Sequence, residues 1–367
     1  MSRLIGGSLK DTAPVESSIF RWRKISDLPV DITQYQKCFV VTRRGHFFFA
    51  NHGSSSVYYS VDKGASWSTL SLAAGKTSSY LSVITNASSS IDYVIIGHNQ
   101  TSYQYCALAV DGSGNITLSS SVSSPSGGDG SFNGAAYSPS ANRYALSFNT
   151  SGGRLSVGYT SDLSVQGSGS GSSLSGFGLA IDYTVGTNKI SAGGNDGHSV
   201  ISSNGGLTWT ADNFWAGPDG NYPVQFMSLG GITVGVGAGS TAGRARFRQP
   251  QDTTGASVHD TNHGPLARID LNVQCGASDD LQHCLAVDSN RNVYYTRRGV
   301  QWTQLTPANF GFVNPGTGVP GIGYASDLDR FFLAIKDTLY ISEPNMVAGI
   351  RKMTDAYLET SRFGSVY

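Results

Sequence analysis

Short apolar runs recur along the chain, separated by turn residues and not by helical periods. They begin near Cys38, Leu81, Phe132, Phe177, Tyr222, Ala267 and Pro320, at intervals of about 45 residues. Each interval repeats one order: strand, turn, strand, tight Gly or Asn turn, strand, loop, and a weaker outer strand. Ser138–Asn149 leads into Arg154–Thr160, Tyr324–Ile335 into Thr338–Ser342, and Ala277–Val287 into Val293–Thr296. No sustained helical period lies between them, which excludes parallel βαβ architectures.

A four-stranded unit repeated at this interval predicts the blades of a propeller. The expected fold is all-β, a single β-propeller of seven blades over residues 20–343. A lone blade exposes its sheet edges, so the ring must close on itself. Phe20–Ile25, followed by Ser-Asp-Leu-Pro, has the pattern of the outer strands Trp67–Leu70 and Trp302–Leu305. The N-terminal stretch carrying Trp22 and Ile25 is therefore expected to supply the outer strand of the last blade. Residues 1–19 form an N-terminal arm and 344–367 a C-terminal tail. Both are either frayed ends or docking segments, and the tail has an apolar face in Ile350, Met353, Tyr357, Leu358 and Phe363.

A second pattern marks the third strand of a unit and the turn after it. Ser60, Asp62, Gly64 and Trp67 follow Val57–Tyr59; Ser202, Asn204, Gly206 and Trp209 stand at the same offsets after Val200–Ile201. A degenerate copy ends in Gly299 and Trp302, and Tyr159–Asp162 is a further remnant. The Asp or Asn side chain can bond amides of its own turn, glycine permits positive φ, and tryptophan folds back onto the blade. The pattern resembles the Asp box, or BNR repeat, of sialidase-like β-propellers. Its residues are expected to staple turns and to carry no chemistry.

Composition narrows the remaining classes. The chain has 367 residues, 25 Lys and Arg against 25 Asp and Glu, and a formal net charge of zero. That balance removes the attraction on which non-specific nucleic-acid binding depends. With 14% charged residues and 46 glycines, coiled coils and helix-rich folds are disfavoured. No apolar run reaches membrane-span length, and Met1–Lys10 lacks the apolar core of a secretory signal. Synthesis in a cytoplasm is expected, with Cys38, Cys106, Cys275 and Cys284 as buried thiols. Cys275 and Cys284 are placed on neighbouring strands, where they could face each other.

The search for chemistry finds little. Sialidase-like enzymes resemble one another in an arginine triad, a Tyr–Glu nucleophile pair and an Asp acid/base. Here Phe20-Arg-Trp-Arg and Phe247-Arg-Gln-Pro miss the opening motif, and Glu16, Glu343 and Glu359 all lie near the termini. Asp129, Asp182, Asp196, Asp219 and Asp279 are read as loop residues, with no spacing that singles out a pair. His259-Asp-Thr-Asn-His263 is read as a polar loop, not a zinc site, and Asn195–His198 as a turn of the fourth blade. Arg244, Arg246 and Arg248 fit a charged edge strand and an anionic partner equally. Gly167–Ser173 reads as a loop between repeats, and Gly235–Gly239 as a closely packed strand. No cofactor and no metal are expected.

The loops are rich in Gly, Ser, Asn and aromatic residues, a composition similar to that of tail and fibre proteins of tailed bacteriophages. That resemblance implies a non-catalytic structural propeller in a virion, made in the host cytoplasm without a signal. It implies contacts with neighbouring virion or assembly subunits through both termini, in a symmetric homo-oligomer, or with a receptor. The alternative is a glycan binder or sialidase-like glycoside hydrolase, with Trp215, Tyr222, Tyr103 and Phe214 stacking on a host-surface sugar. A weaker resemblance, to the Asp-box-containing assembly factor of photosystem II, lacks that family's basic pocket.

Overall fold

The computed structural model describes residues 20–32, 38–84, 90–98, 104–119, 122–123, 132–149, 154–160, 163, 167–168, 174–175, 178–184, 187–194, 199–212, 222–238, 244–248, 259–260, 273–279, 283–288, 291–296, 302–305 and 320–344. Among them the elements are strands joined by turns. After β1 (Phe20–Asp27), the first sheet is β2 (Phe39–Val41), β3 (Phe47–Phe49), β4 (Ser56–Ser60) and β5 (Ser68–Ser71). The second is β6 (Ser78–Ile84), β7 (Asp92–His98) and β8 (Gln104–Val110), with β9 (Ile116–Leu118) and β10 (Val122–Ser123) both on β8. The third is β11 (Phe132–Ser138), β12 (Arg143–Asn149) and β13 (Arg154–Thr160), with β14 (Gly167–Ser168) and β15 (Leu174–Ser175) on β13.

The fourth sheet is β16 (Gly178–Thr184), β17 (Lys189–Gly194), β18 (Ser199–Ser202) and β19 (Thr210–Asp212). The fifth is β20 (Tyr222–Leu229), β21 (Ile232–Ala238), β22 (Arg244–Arg248) and β23 (His259–Asp260). The sixth is β24 (Val273–Ser278), β25 (Cys284–Asp288), β26 (Val293–Thr296) and β27 (Thr303–Leu305). The last is β28 (Pro320–Ala325), β29 (Arg330–Ile335) and β30 (Thr338–Pro344), with β1 outermost. Among the described residues this makes seven antiparallel sheets, five of four strands and two of five. Their first strands touch in succession, β2 to β6, β11, β16, β20, β24 and β28, and β28 returns to β2. The fold is an all-β propeller.

The core lies between the sheets, and strand alternation builds it. Phe47, Phe48 and Phe49 are all wholly buried, because each sheet is covered on both faces. Phe47 and Phe49 join Phe332, Ala334 and Leu339 of the last sheet, while Phe48 joins Leu81, Val94, Ile96 and Leu108 of the second. Successive side chains of one strand thus serve two neighbours. Where first strands come closest, side chains are missing. A Cβ on Gly321 would stand 2.5 Å from the Phe39 Cβ, and one on Gly323 2.6 Å from Val41 Cγ2.

β1 pairs antiparallel with β30, from Phe20 opposite Pro344 to Asp27 opposite Thr338. A bulge between Lys24 and Ser26 changes the strand's parity. Trp22, 3% exposed, enters the core between the sixth and last sheets, while Ile25, three residues on and so on the opposite face by alternation, packs into the core between the last and first. One N-terminal strand seals both sides of the last sheet.

Several sequence expectations are corrected. The sixth sheet's first strand is described over Val273–Ser278, and Ala267 lies outside the described residues. Asp182 lies within the strand β16 and not in a loop, whereas Asp279 does stand outside strand, in the turn after β24. Gly167–Ser168 is the outer strand β14, and His259–Asp260 pairs with Arg246–Phe247 as β23. β22, with Arg244, Arg246 and Arg248, is accordingly the third strand of its sheet and not an edge. All four thiols are free and buried, but Cys284 stands opposite Ser278 and Cys275 opposite Val287, so they do not face each other.

Candidate functional site

Turns between first and second strands, and between third and fourth, share one face of the ring. On it the two turns singled out by their spacing have nearly the same bonding. In the first sheet the Ser60 hydroxyl donates to Asp62 Oδ1 (2.8 Å) and accepts the Gly64 amide (2.8 Å). Asp62 also accepts the Ser66 amide (2.9 Å) and hydroxyl (2.5 Å). In the fourth sheet the Ser202 hydroxyl donates to Asn204 Oδ1 (3.0 Å) and accepts the Gly206 amide (2.9 Å), and Asn204 Oδ1 accepts the Thr208 amide (2.9 Å). The Asn204 amide group donates to the Thr208 hydroxyl at 2.7 Å. Gly64 and Gly206 both have φ +88°, which their position in the turn requires.

The tryptophans differ. Trp209 is buried and its indole N–H donates to the Gly206 carbonyl (2.9 Å), whereas Trp67 is half-buried against Phe47 and Phe49. Trp302 is 1% exposed in the core between the fifth and sixth sheets, and its Gly299 lies outside the described residues. The Ser66 hydrogen bonds hold the Asp62 carboxyl down at about 2.

The same device occurs where its spacing did not reveal it. Asp111 Oδ1 accepts the amides of Ser113 (2.8 Å) and Asn115 (2.9 Å) in the turn from β8 to β9. Asp279 accepts the His283 amide (2.8 Å) and Asp288 that of Asn292 (2.9 Å). A separate motif recurs at a fixed spacing that the sequence carries: the hydroxyls of Tyr137, Tyr183 and Tyr324 donate to Asn142 (2.8 Å), Asn188 (3.2 Å) and Asp329 (2.9 Å). Each acceptor lies five residues on, at φ +48°, +55° and +51°, a left-handed turn that Asn and Asp tolerate.

Ionic contacts on this face join three successive sheets. Arg43 and Arg44, in the turn from β2 to β3, both reach Asp92 at the start of β7 (3.1 and 3.0 Å). Arg43 also lies 3.9 Å from Asp327, in the turn from β28 to β29. Asp92 is wholly buried, and burial pushes its carboxyl above the usual range against the pull of both arginines.

First strands of all the sheets line a central channel with a cavity of ≈ 230 Å³. Its walls are mostly aliphatic or glycine, as at Val40, Leu81, Ile181, Met227, Ile322 and Gly134; the polar groups include Arg43, Ser82, Asp182, Gln225, Ser278 and Ser326. Most of these are engaged: Ser82 with the Ala135 amide (3.1 Å), Asp182 Oδ1 with the Tyr183 amide (2.8 Å), the Gln225 amide group with the Phe226 carbonyl (3.0 Å), and the Ser278 hydroxyl with the Ser228 carbonyl. Such a channel supplies hydrogen bonds and apolar contact and, among the described residues, no paired carboxylates. Among the described residues no cluster of three His, Cys, Asp or Glu side chains could hold a metal.

Asp129, Asp162, Asp196, Asp219, His198, His263, Tyr103, Phe214, Trp215, Glu16, Glu359, the arm and the tail from residue 345 lie outside the described residues. For Tyr222 and the β22 arginines only the backbone is described.

No protein-family model matches the chain, and no curated protein sequence matches it. Solved structures do. A YCF48 bound to D1 peptide is 12% identical, covering 89% of this chain and 96% of that one, with a TM-score of 0.56. YCF48 from Cyanidioschyzon merolae is 14% identical over 88% and 99%, at 0.57. The WD40 repeats of RRP9 are 14% identical over 89% and 98%, at 0.59. At such identities the likeness is one of fold, and that fold is the β-propeller common to WD40 repeats and YCF48.

Proposed function

We propose that the chain is a non-catalytic structural and interaction propeller of seven blades, whose channel and turn face hold segments of neighbouring proteins. One observation carries this reading: the charged groups lining the described channel, Arg43 and Asp182, and several on the turn face are already held by neighbours inside the ring. Arg43 and Arg44 are held by Asp92, Asp62 by its own turn, and Asp182 by the following amide. What is left outward is hydrogen-bonding and apolar surface on a rigid frame, which suits binding better than acid–base work. Propellers of this fold have been solved with a D1 peptide and within a mitotic checkpoint complex, which supports a protein partner. The Ser60–Trp67 and Ser202–Trp209 turns serve in this proposal as structural Asp boxes.

The setting we propose is a tailed-phage virion, supported by the charge-poor, Gly-rich composition. Cross-linking mass spectrometry on the native particle tests it, and links from the turn face to other subunits are expected. A glycosidase assay on the purified protein gives the opposing outcome. Sugar turnover that disappears in Asp182→Asn would replace the interaction reading with a hydrolase.

A further inference from the structure

Among the described residues no strand pairs with the outer edge of any sheet, and these edges are unequally protected. Short strands, charges and bulges block pairing with another chain; regular uncharged edges invite it. β1 carries the Arg23–Glu343 and Lys24–Asp27 ion pairs and a bulge. The outer strands β9, β10, β14, β15, β19, β23 and β27 have only two or three residues each. β5 differs. It has four residues, Ser-Thr-Leu-Ser, without charge or proline and in unbroken register with β4. Ser68, Thr69 and Ser71 are exposed.

The ladder shows which groups face outward. The Leu72 amide donates to the Ser55 carbonyl at 2.8 Å, so these two form a hydrogen-bonded pair. Alternation along the antiparallel ladder then assigns Leu70 and Ser68 to β4, and turns the N–H and C=O of Thr69 and Ser71 away from it. Those groups have the two-residue spacing that an added strand needs.

We propose that β5 pairs with β5 of a second copy of this chain, antiparallel about a two-fold axis through Leu70. Thr69 of one copy exchanges both backbone hydrogen bonds with Ser71 of the other, and the reverse. Among self-pairings, this register alone uses both outward residues of both strands. Leu70 meets its counterpart as a non-hydrogen-bonded pair, where side chains approach most closely. No charge on the strand opposes the contact, and a net charge of zero adds no long-range repulsion between copies. The contact is isologous, as a two-fold dimer requires. Val61, in the turn leading into β5, and Leu118, on β9 of the next sheet, are exposed large apolar side chains.

The inference rests on the interaction reading, but the two fail separately. Sedimentation of the full chain over a dilution series tests it, using wild type, T69K/S71K, T69E/S71E and an equimolar mixture of the two variants. Thermal melts of each variant check the fold. The wild type should show a reversible monomer–dimer equilibrium, weakened about tenfold or more in each variant by like charges set opposite one another. The mixture should recover it, since lysine at 69 then faces glutamate at 71. A wild type monomeric at every concentration overturns the pairing, while cross-links to other subunits would still stand. A dimer unchanged in both variants, or variants that do not recover on mixing, overturns it as well.

Discussion

The Nε of Arg43 lies 3.1 Å from a carboxylate oxygen of Asp92, across the boundary between the first and second sheets. Arg44 holds the other oxygen at 3.0 Å, and Asp327 ties Arg43 to the last sheet. This group, centred on the buried Asp92, joins the last, first and second sheets. Asp92→Asn would take the shared counter-charge from two part-buried guanidiniums, leaving Arg43 only the more distant Asp327, and loss of one partner of a buried pair costs about 3–5 kcal/mol. Urea unfolding should show a lower midpoint; an unchanged midpoint would mean that the contact contributes nothing net.

Trp22 anchors β1 in the core between the sixth and last sheets. Its indole is buried with Tyr295, Ile335 and Tyr340, so Trp22→Ala opens a cavity between the sixth and last sheets. The expected loss is about 3–5 kcal/mol. Removing residues 1–30 takes β1 away entirely and should replace one cooperative melt with a broad or split transition in calorimetry. A single sharp transition at the original temperature would contradict closure by β1.

At Asp62 the chain supplies its own control, because Asn204 does the same work in the fourth sheet. Asp62→Asn should keep the Ser60 and Ser66 contacts and the neutral-pH melting temperature, whereas Asp62→Ala loses the turn's acceptor at about 1 kcal/mol. The folded carboxyl is held down at about 2, so its stabilisation is present above the unfolded value of 3.8 and is lost as pH falls toward 2. The acid limb of a melting-temperature profile should therefore be shallower in Asp62→Asn. A parallel limb would exclude the contribution.

His98 acts at milder pH. Burial, with Lys76 adding repulsion, pushes its imidazole down to about 4 from 6.5. The unfolded chain then binds the proton first, so stability falls as pH drops from 6.5 toward 4, by up to about 3 kcal/mol. His46, lowered by burial and Arg44, adds in the same direction. Urea midpoints at pH 7 and pH 5 should differ less in His98→Gln than in the wild type. An equal difference would place the proton uptake elsewhere.

Features were legible in the sequence where the physics is local. Asp62 bonds Ser66 four residues away, and Tyr137 bonds Asn142 five residues away, so spacing alone carries both. Trp22 and Ile25 stood out because a strand with a closing tryptophan repeats a pattern present elsewhere in the chain. β14 and β23 were misread as loops because two residues carry no period. Asp182 was misread because a carboxylate in a strand argues against burial unless the strand lines a channel.

Local pattern thus dictates the strands, the stapled turns and the all-β class, since each needs only neighbours a few positions apart. Closing the circle decides the rest. Whether Phe48 packs on the second sheet and Phe47 on the last depends on which sheets flank β3. The meeting of Arg44 with Asp92 brings together residues 48 positions apart. Gly321 is required only because β28 comes back against Phe39. These contacts are not encoded by any stretch of chain, because their energy exists only once separate repeats have been packed face to face.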